Sequence, residues 1–86
     1  MRPKQRVVWQ EIAGEAVLLD LDRERYFGLN VIGTAVWRGL SEGRPLDQIV
    51  ADLQPQYAVD ADRLVADIAA LVGHLRSEGL LVAADE

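Results

Sequence analysis

The chain has 86 residues, half of them apolar, which allows a single small domain over 1–86 with one core and leaves no room for a second. Nine Lys and Arg against fourteen Asp and Glu give a net charge of −5, so the basic face of a nucleic-acid binder is missing from the totals. Cysteine is absent and His74 is the only histidine, which removes disulfide frameworks, thiolate metal sites and cysteine nucleophiles together.

No apolar run approaches the roughly 18 to 20 residues that span a bilayer, and the opening MRPKQR is not followed by a signal-type apolar stretch. A cytoplasmic protein with no membrane partner is expected. Residues 1–40 carry six bases and five acids, whereas residues 41–86 carry three bases and nine acids, so the second half is strongly negative. Internal repeats, low-complexity stretches and long linkers are all lacking.

In chain order, Val7, Val8, Trp9 and Ile12 and then Val17, Leu18, Leu19 and Leu21 form two short β-prone runs. Ala13-Gly14-Glu15 separates them as a hairpin turn. Val17, Leu19 and Leu21 share one face of the second run and Leu18 and Asp20 the other, the alternation of a sheet buried on one side. A polar connection, Asp22-Arg23-Glu24-Arg25, leads to a third short strand at Tyr26-Phe27-Gly28-Leu29. These make a three-stranded antiparallel meander.

The period then becomes helical. Asn30 is a good N-cap for a helix carrying Ile32, Val36 and Leu40, which Gly39 and Gly43 end. Pro45 stands as the first residue of a second helix, with Leu46, Ile49, Val50 and Leu53 as its apolar stripe and Pro55 as its stop. Asp60 caps a third helix to about Glu78, closed by Gly79, and Leu80-Leu81-Val82 follows as a short extended segment. The third helix has Leu64, Val65, Ile68, Ala69, Leu71, Val72 and Leu75, an arc too wide for one narrow stripe. Either the sheet and the other helices grip it from both sides, or one flank lines an open groove.

Catalysis finds no footing in this set of residues. One histidine without cysteine cannot form a zinc site, the carboxylates follow no calcium-loop pattern, and Ser41 and Ser77 lie in no nucleophile elbow. His74, late in the third helix, is expected to face solvent, where its charge suits a helix C-terminus. No enzyme, metal or cofactor is expected. Three strands followed by three helices also suit an α+β winged helix-turn-helix-like fold, which raises DNA binding as an alternative. Asp60, Asp62, Asp67 and Glu78 against Arg63 and Arg76 leave the third helix at −2, and such a helix repels a duplex.

A peptide partner fits better. Arg2, Pro3, Lys4 and Arg6 guard the first strand, but the third offers an unguarded edge at Tyr26-Phe27-Gly28-Leu29, with Gly28 permitting close backbone approach or simply a bend toward Asn30. An extended peptide can add there as a fourth strand.

The string GEAVLLDLDRERYFGLN from Gly14 to Asn30, followed by Gly33, Val36-Trp37, Leu40, Ile49, Leu53, Tyr57 and the closing LRSEGLL, resembles the PqqD-like family over residues 7–82. These are the recognition elements of ribosomally made, post-translationally modified peptide (RiPP) pathways. The resemblance implies a winged-helix-like domain that binds a precursor's leader as an added strand on the third strand, beside the third helix. It further implies that the domain brings the leader to a tailoring enzyme. By position, the implied edge is Arg25, Tyr26, Phe27, Gly28 and Leu29. The implied groove wall is Leu64, Asp67, Ile68 and Leu71 with Val72 and Leu75, although periodicity leaves open which of these face the core. As an unfused chain it looks most like the stand-alone recognition proteins of lasso-peptide pathways, whose partners are a leader peptidase and a cyclase. A subunit serving a radical enzyme in cofactor biosynthesis is the alternative. Arg44 departs from the family, which commonly has a Ser or Thr cap ahead of Pro45.

Overall fold

The structure, a computed structural model, describes residues 1–57 and 60–83. Its elements are β1 (Arg2–Pro3), β2 (Val7–Ile12), β3 (Glu15–Asp20), β4 (Arg25–Gly28), α1 (Val31–Ser41), α2 (Leu46–Leu53), a 3-10 turn (Gln54–Gln56), α3 (Ala61–Ser77) and β5 (Leu81–Val82). β2, β3 and β4 form the expected antiparallel meander in that order. β1 and β5 pair separately, Arg2 opposite Val82 and Pro3 opposite Leu81. Arg2 and Pro3 are therefore strand residues bound to the far end of the chain, and not a guard on the meander. Periodicity cannot reveal such a pair, because two residues carry no period.

The hairpin is tighter than expected. Ala13 (φ +54°) and Gly14 (φ +83°) both take left-handed backbone, as a two-residue turn matched to strand twist requires, and Glu15 joins β3 opposite Ile12. β3 ends at Asp20, so Leu21 lies outside it. Its buried side chains are Ala16, Leu18 and Asp20, whereas Val17 is exposed and Leu19 half-buried. A charged residue thus occupies the inner face, and Lys4 supplies the counter-charge, its Nζ 2.7 Å from Asp20 Oδ1. Asp20 Oδ1 also accepts the backbone N–H groups of Asp22 and Arg23, which shapes the turn into β4.

Asn30 caps α1 as expected, its side chain accepting the Gly33 N–H at 2.8 Å. Gly39 does not end this helix. It lies inside α1 where Ile49 of α2 comes so near that a Cβ would sit 2.7 Å from Ile49 Cδ1, so the missing side chain sets the α1–α2 spacing. Gly43, at φ +80°, follows the helix end. Pro45 is the N-cap of α2 and not its first residue, and no side chain caps that end. Arg44 instead forms an ion pair with Asp52 across the same helix. Asp60 caps α3 by accepting the Asp62 N–H at 2.8 Å, and Gly79 (φ +75°) turns the chain toward β5.

The core draws on every layer: Leu18, Leu29, Val36, Trp37, Leu40, Ile49, Leu53, Leu64, Ile68, Val72, Leu75, Leu80 and Leu81 are all buried. Of the wide arc on α3, Leu64, Ile68, Val72 and Leu75 face this core, Leu71 is half-buried, and Val65 and Ala69 face solvent. His74 is exposed, as expected. Among the described residues, no helix is long and apolar enough to cross a membrane.

Candidate functional site

The register of the meander identifies which backbone groups of β4 are free. Leu29 N–H bonds to Ala16 O at 2.8 Å, and Leu18 lies opposite Phe27 and Asp20 opposite Arg25. Bonding alternates along an antiparallel pair, so Arg25, Phe27 and Leu29 direct their N–H and C=O groups toward β3. Tyr26 and Gly28 therefore direct theirs away from the sheet. The opposite ladder agrees, since Leu21 N–H bonds to Arg6 O and places Leu19 and Val17 in register to bond β2. β4 is the last strand in this sheet, and these outward groups make its open edge.

The end of the ladder is closed by a side chain. Thr34 Oγ1, fully buried on α1, accepts the Ala16 N–H at 2.7 Å and donates to Leu29 O at 3.5 Å. That hydroxyl occupies the place of a direct bond from Ala16 to Leu29 and joins the end of β4 to the start of α1.

Beside this edge lies a groove of about 420 Å³, lined by Gly28 at the end of β4 and Leu29 just after it, Asn30, Ile32 and Gly33 from the α1 start, and Asp67, Ile68 and Leu71 from α3. Gly33 brings the two helices together, for a Cβ there would meet Leu71 Cδ2 and Asn30 Oδ1 at 3.2 Å each. A Cβ on Gly28 would meet nothing within 4 Å. The space beside that strand position is open.

The residues expected at the site divide between groove and core. Gly28, Leu29, Asp67, Ile68 and Leu71 line the groove together. Leu64, Val72 and Leu75 are 1%, 8% and 1% exposed and belong to the core cluster behind it. Tyr26 is 72% exposed on the outer sheet face, in a row with Leu19 and Val8. Phe27 is half-buried against the core, and the Arg25 guanidinium lies over its ring, 5.2 Å from the centroid. Asn30, Ile32 and Gly33 were absent from the expected wall. Their signal was the cap itself, because a strand that runs straight into a capped helix delivers the first turn of that helix to the strand's end.

Two ionic groups lie on the elements that build the groove, one on its wall and one outside its lining. Asp67 is exposed and weakly paired with Arg63 of the same helix, 3.8 Å away. At the C-cap of α3, Arg25 Nη1 lies 3.1 Å from Glu78 Oε2, and Arg23 Nη1 donates to the Glu78 carbonyl at 3.0 Å. α3 is thereby tied at its C-terminus to the start of β4. Among the described residues, no three His, Asp or Glu side chains converge to hold a metal ion.

Residues 15–81 match the family model described as coenzyme PQQ synthesis protein D (PqqD). The chain belongs to the PqqD family. That is the family implied by the Gly14–Asn30 string, and the matched span covers β3 through the start of β5. This PqqD domain is also similar to two solved structures. One is "TbiB1 in Complex with the TbiA(beta) Leader Peptide", 33% identical over 94% of each chain with a TM-score of 0.86. The other is "Lasso peptide synthetase B1 complexed with the leader peptide", 26% identical over 95% of this chain and 96% of that one, with a TM-score of 0.84. No protein of curated function matches the sequence significantly.

Proposed function

We propose that this chain is a RiPP recognition element that binds the leader segment of a ribosomally made precursor peptide, taking it up as a strand on the open edge of β4. The observation that carries this reading is the juxtaposition of outward backbone groups at Tyr26 and Gly28 with the apolar groove of Leu29, Ile68 and Leu71. Backbone pairing supplies affinity that is indifferent to sequence, and alternate side chains of the added strand enter the groove and supply selectivity. Leu64, Val72 and Leu75 act through the core by holding α3 in position, while Asp67 stands at the rim.

The chain does no chemistry on the peptide in this reading. It raises the local concentration of leader at a tailoring enzyme, which in a lasso-peptide pathway is a leader peptidase, and it works in the cytoplasm where the precursor is made. Both solved neighbours are described with a leader peptide bound, and one of them as lasso peptide synthetase B1, which supports the lasso type. The PQQ description of the family model favours a second reading, in which the enzyme served is a radical enzyme of cofactor biosynthesis. The fold is taken as a winged helix-turn-helix variant turned to peptide binding, its acidic α3 being unsuited to a duplex. Fluorescence anisotropy with a labelled leader and a labelled DNA duplex tests the choice. Saturable binding of the leader alone is expected, and tight binding of the duplex alone would overturn the proposal.

A further inference from the structure

Arg25 holds a position from which a bound strand can be read for charge. Because Arg25, Phe27 and Leu29 spend their backbone groups on β3, their neighbours across an added strand form the closely spaced, non-hydrogen-bonded pairs, with Cα atoms about 4.5 Å apart. The side chains of these pairs all lie on the inner face, since Arg25 is opposite Asp20 and Phe27 is opposite Leu18, both buried. Residues of the peptide opposite Leu29 and Phe27 therefore meet apolar surface, and the residue opposite Arg25 meets a guanidinium.

The charge balance at that end is incomplete. Arg23 and Arg25 share the single carboxylate of Glu78, at 3.9 and 3.1 Å. By contrast, Lys4 and Arg6 together face two carboxylates, Asp20 and Asp22, and Arg38 and Arg44 face Glu11 and Asp52. Arg25 is already oriented by the Phe27 ring beneath it, and a guanidinium has five donors in a rigid fork, of which Glu78 engages only part. Glu24, the remaining acid of the turn, has left-handed backbone (φ +55°) and makes no ion pair among the described residues.

We infer that Arg25 is a specificity-determining residue that selects an Asp or Glu on the incoming strand, completing two ion pairs for two guanidiniums. This rests on the strand-addition reading above. Antiparallel addition, the pairing used throughout this sheet, runs the peptide from Leu29 toward Arg25 in its N-to-C direction. The preferred pattern is then apolar-x-apolar-x-acid.

Selection of a random dodecapeptide mRNA-display library on the immobilised full chain tests this, run in parallel on wild type and on Arg25→Gln, with thermal melts confirming that both are folded. Wild type is expected to enrich the acid two residues after the apolar pair, and Arg25→Gln to keep the apolar alternation and lose the acid. In a selected peptide, acid-to-amide replacement should weaken binding to wild type by about threefold, as a partly exposed ion pair allows, and leave binding to Arg25→Gln unchanged. Glu78→Gln, which frees the guanidinium, should strengthen the acid preference. Apolar alternation with no acid preference in wild type overturns the role of Arg25 and leaves strand addition standing. Selected peptides that bind Tyr26→Pro as well as wild type overturn strand addition, and this inference with it.

Discussion

Lys4 Nζ and Asp20 Oδ1 meet 2.7 Å apart on the inner face of the meander, where the Asp20 side chain is fully buried. The pair anchors the N-terminal segment to the central strand, next to the backbone bond from Lys4 N–H to Leu80 O that continues the β1–β5 pairing. Asp20 Oδ2 is buried without a protein partner among the described residues, so Lys4 carries most of the compensation for this charge. Removing Lys4 alone leaves a buried carboxylate unpaired, whereas removing both charges does not. Lys4→Met should lower the melting temperature more than the double variant Lys4→Met/Asp20→Leu. Equal or reversed loss in thermal denaturation would show that the pair does not anchor the segment.

The same contact sets the pH range of stability. The hydrogen bond from Lys4 holds the Asp20 carboxyl below its ordinary range, helped by the Arg23 and Asp22 N–H groups and opposed by burial. Arg6 lowers Asp22 in the same way, and the bond to Asp20 raises Lys4. The carboxylate contributions are complete above the unfolded value of about 4 and vanish as pH falls through the lower folded values. The Lys4 contribution is complete below about 10.4 and is lost as pH rises through its higher folded value. Melting temperature should be flat from about pH 5 to pH 9 and fall on both sides. In Lys4→Met/Asp20→Leu the alkaline fall should be reduced.

A proline scan of β4 separates its two rows of backbone donors. Tyr26→Pro or Gly28→Pro removes an outward N–H that the sheet does not use, so leader affinity should drop while circular dichroism stays unchanged. Phe27→Pro removes an inward donor and should destabilise the fold itself. Loss of binding only at Phe27, accompanied by unfolding, would place the peptide elsewhere.

Thr34 supports the site without lining it. Thr34→Val keeps the shape but leaves the Ala16 N–H without its partner, which should cost about 1–3 kcal/mol in urea denaturation. Thr34→Ser retains the hydroxyl and should lose much less.

Groove and core variants on α3 should separate in the same way. Leu64→Ala creates a core cavity and should cost about 2–5 kcal/mol of stability. Leu71→Ala, at a half-buried position, should weaken leader binding with a smaller effect on the melt. The Asp67 side chain is 69% exposed, so Asp67→Asn should cost at most about 1 kcal/mol of leader affinity, and salt should shrink that difference. Titration calorimetry at two salt concentrations checks it, and an unchanged affinity would return Asp67 to the solvated surface.

Much of this protein is local and therefore legible from the chain alone. Asn30 ahead of a helical period, Ala13-Gly14 between two β-prone runs, and Asp60 and Gly79 around α3 each determine conformation through a few adjacent residues, and the Gly14–Asn30 string carries the family. What the sequence left undecided depends on distance. Period two divided β3 into Val17 and Leu19 against Leu18 and Asp20, but the side facing inward was settled by Lys4, sixteen residues away from Asp20, neutralising a buried charge. Period 3.6 gave α3 a wide apolar arc. The close approach at Gly33 then left Leu71 on the groove, while Leu64, Val72 and Leu75 turned to the core. The two-residue strands β1 and β5 exist only because Arg2–Pro3 and Leu81–Val82, remote in sequence, meet in space. Burial and pairing between remote residues decide these features, because a side chain's environment is a property of its neighbours in space, whereas a cap or a turn is a property of its neighbours in sequence.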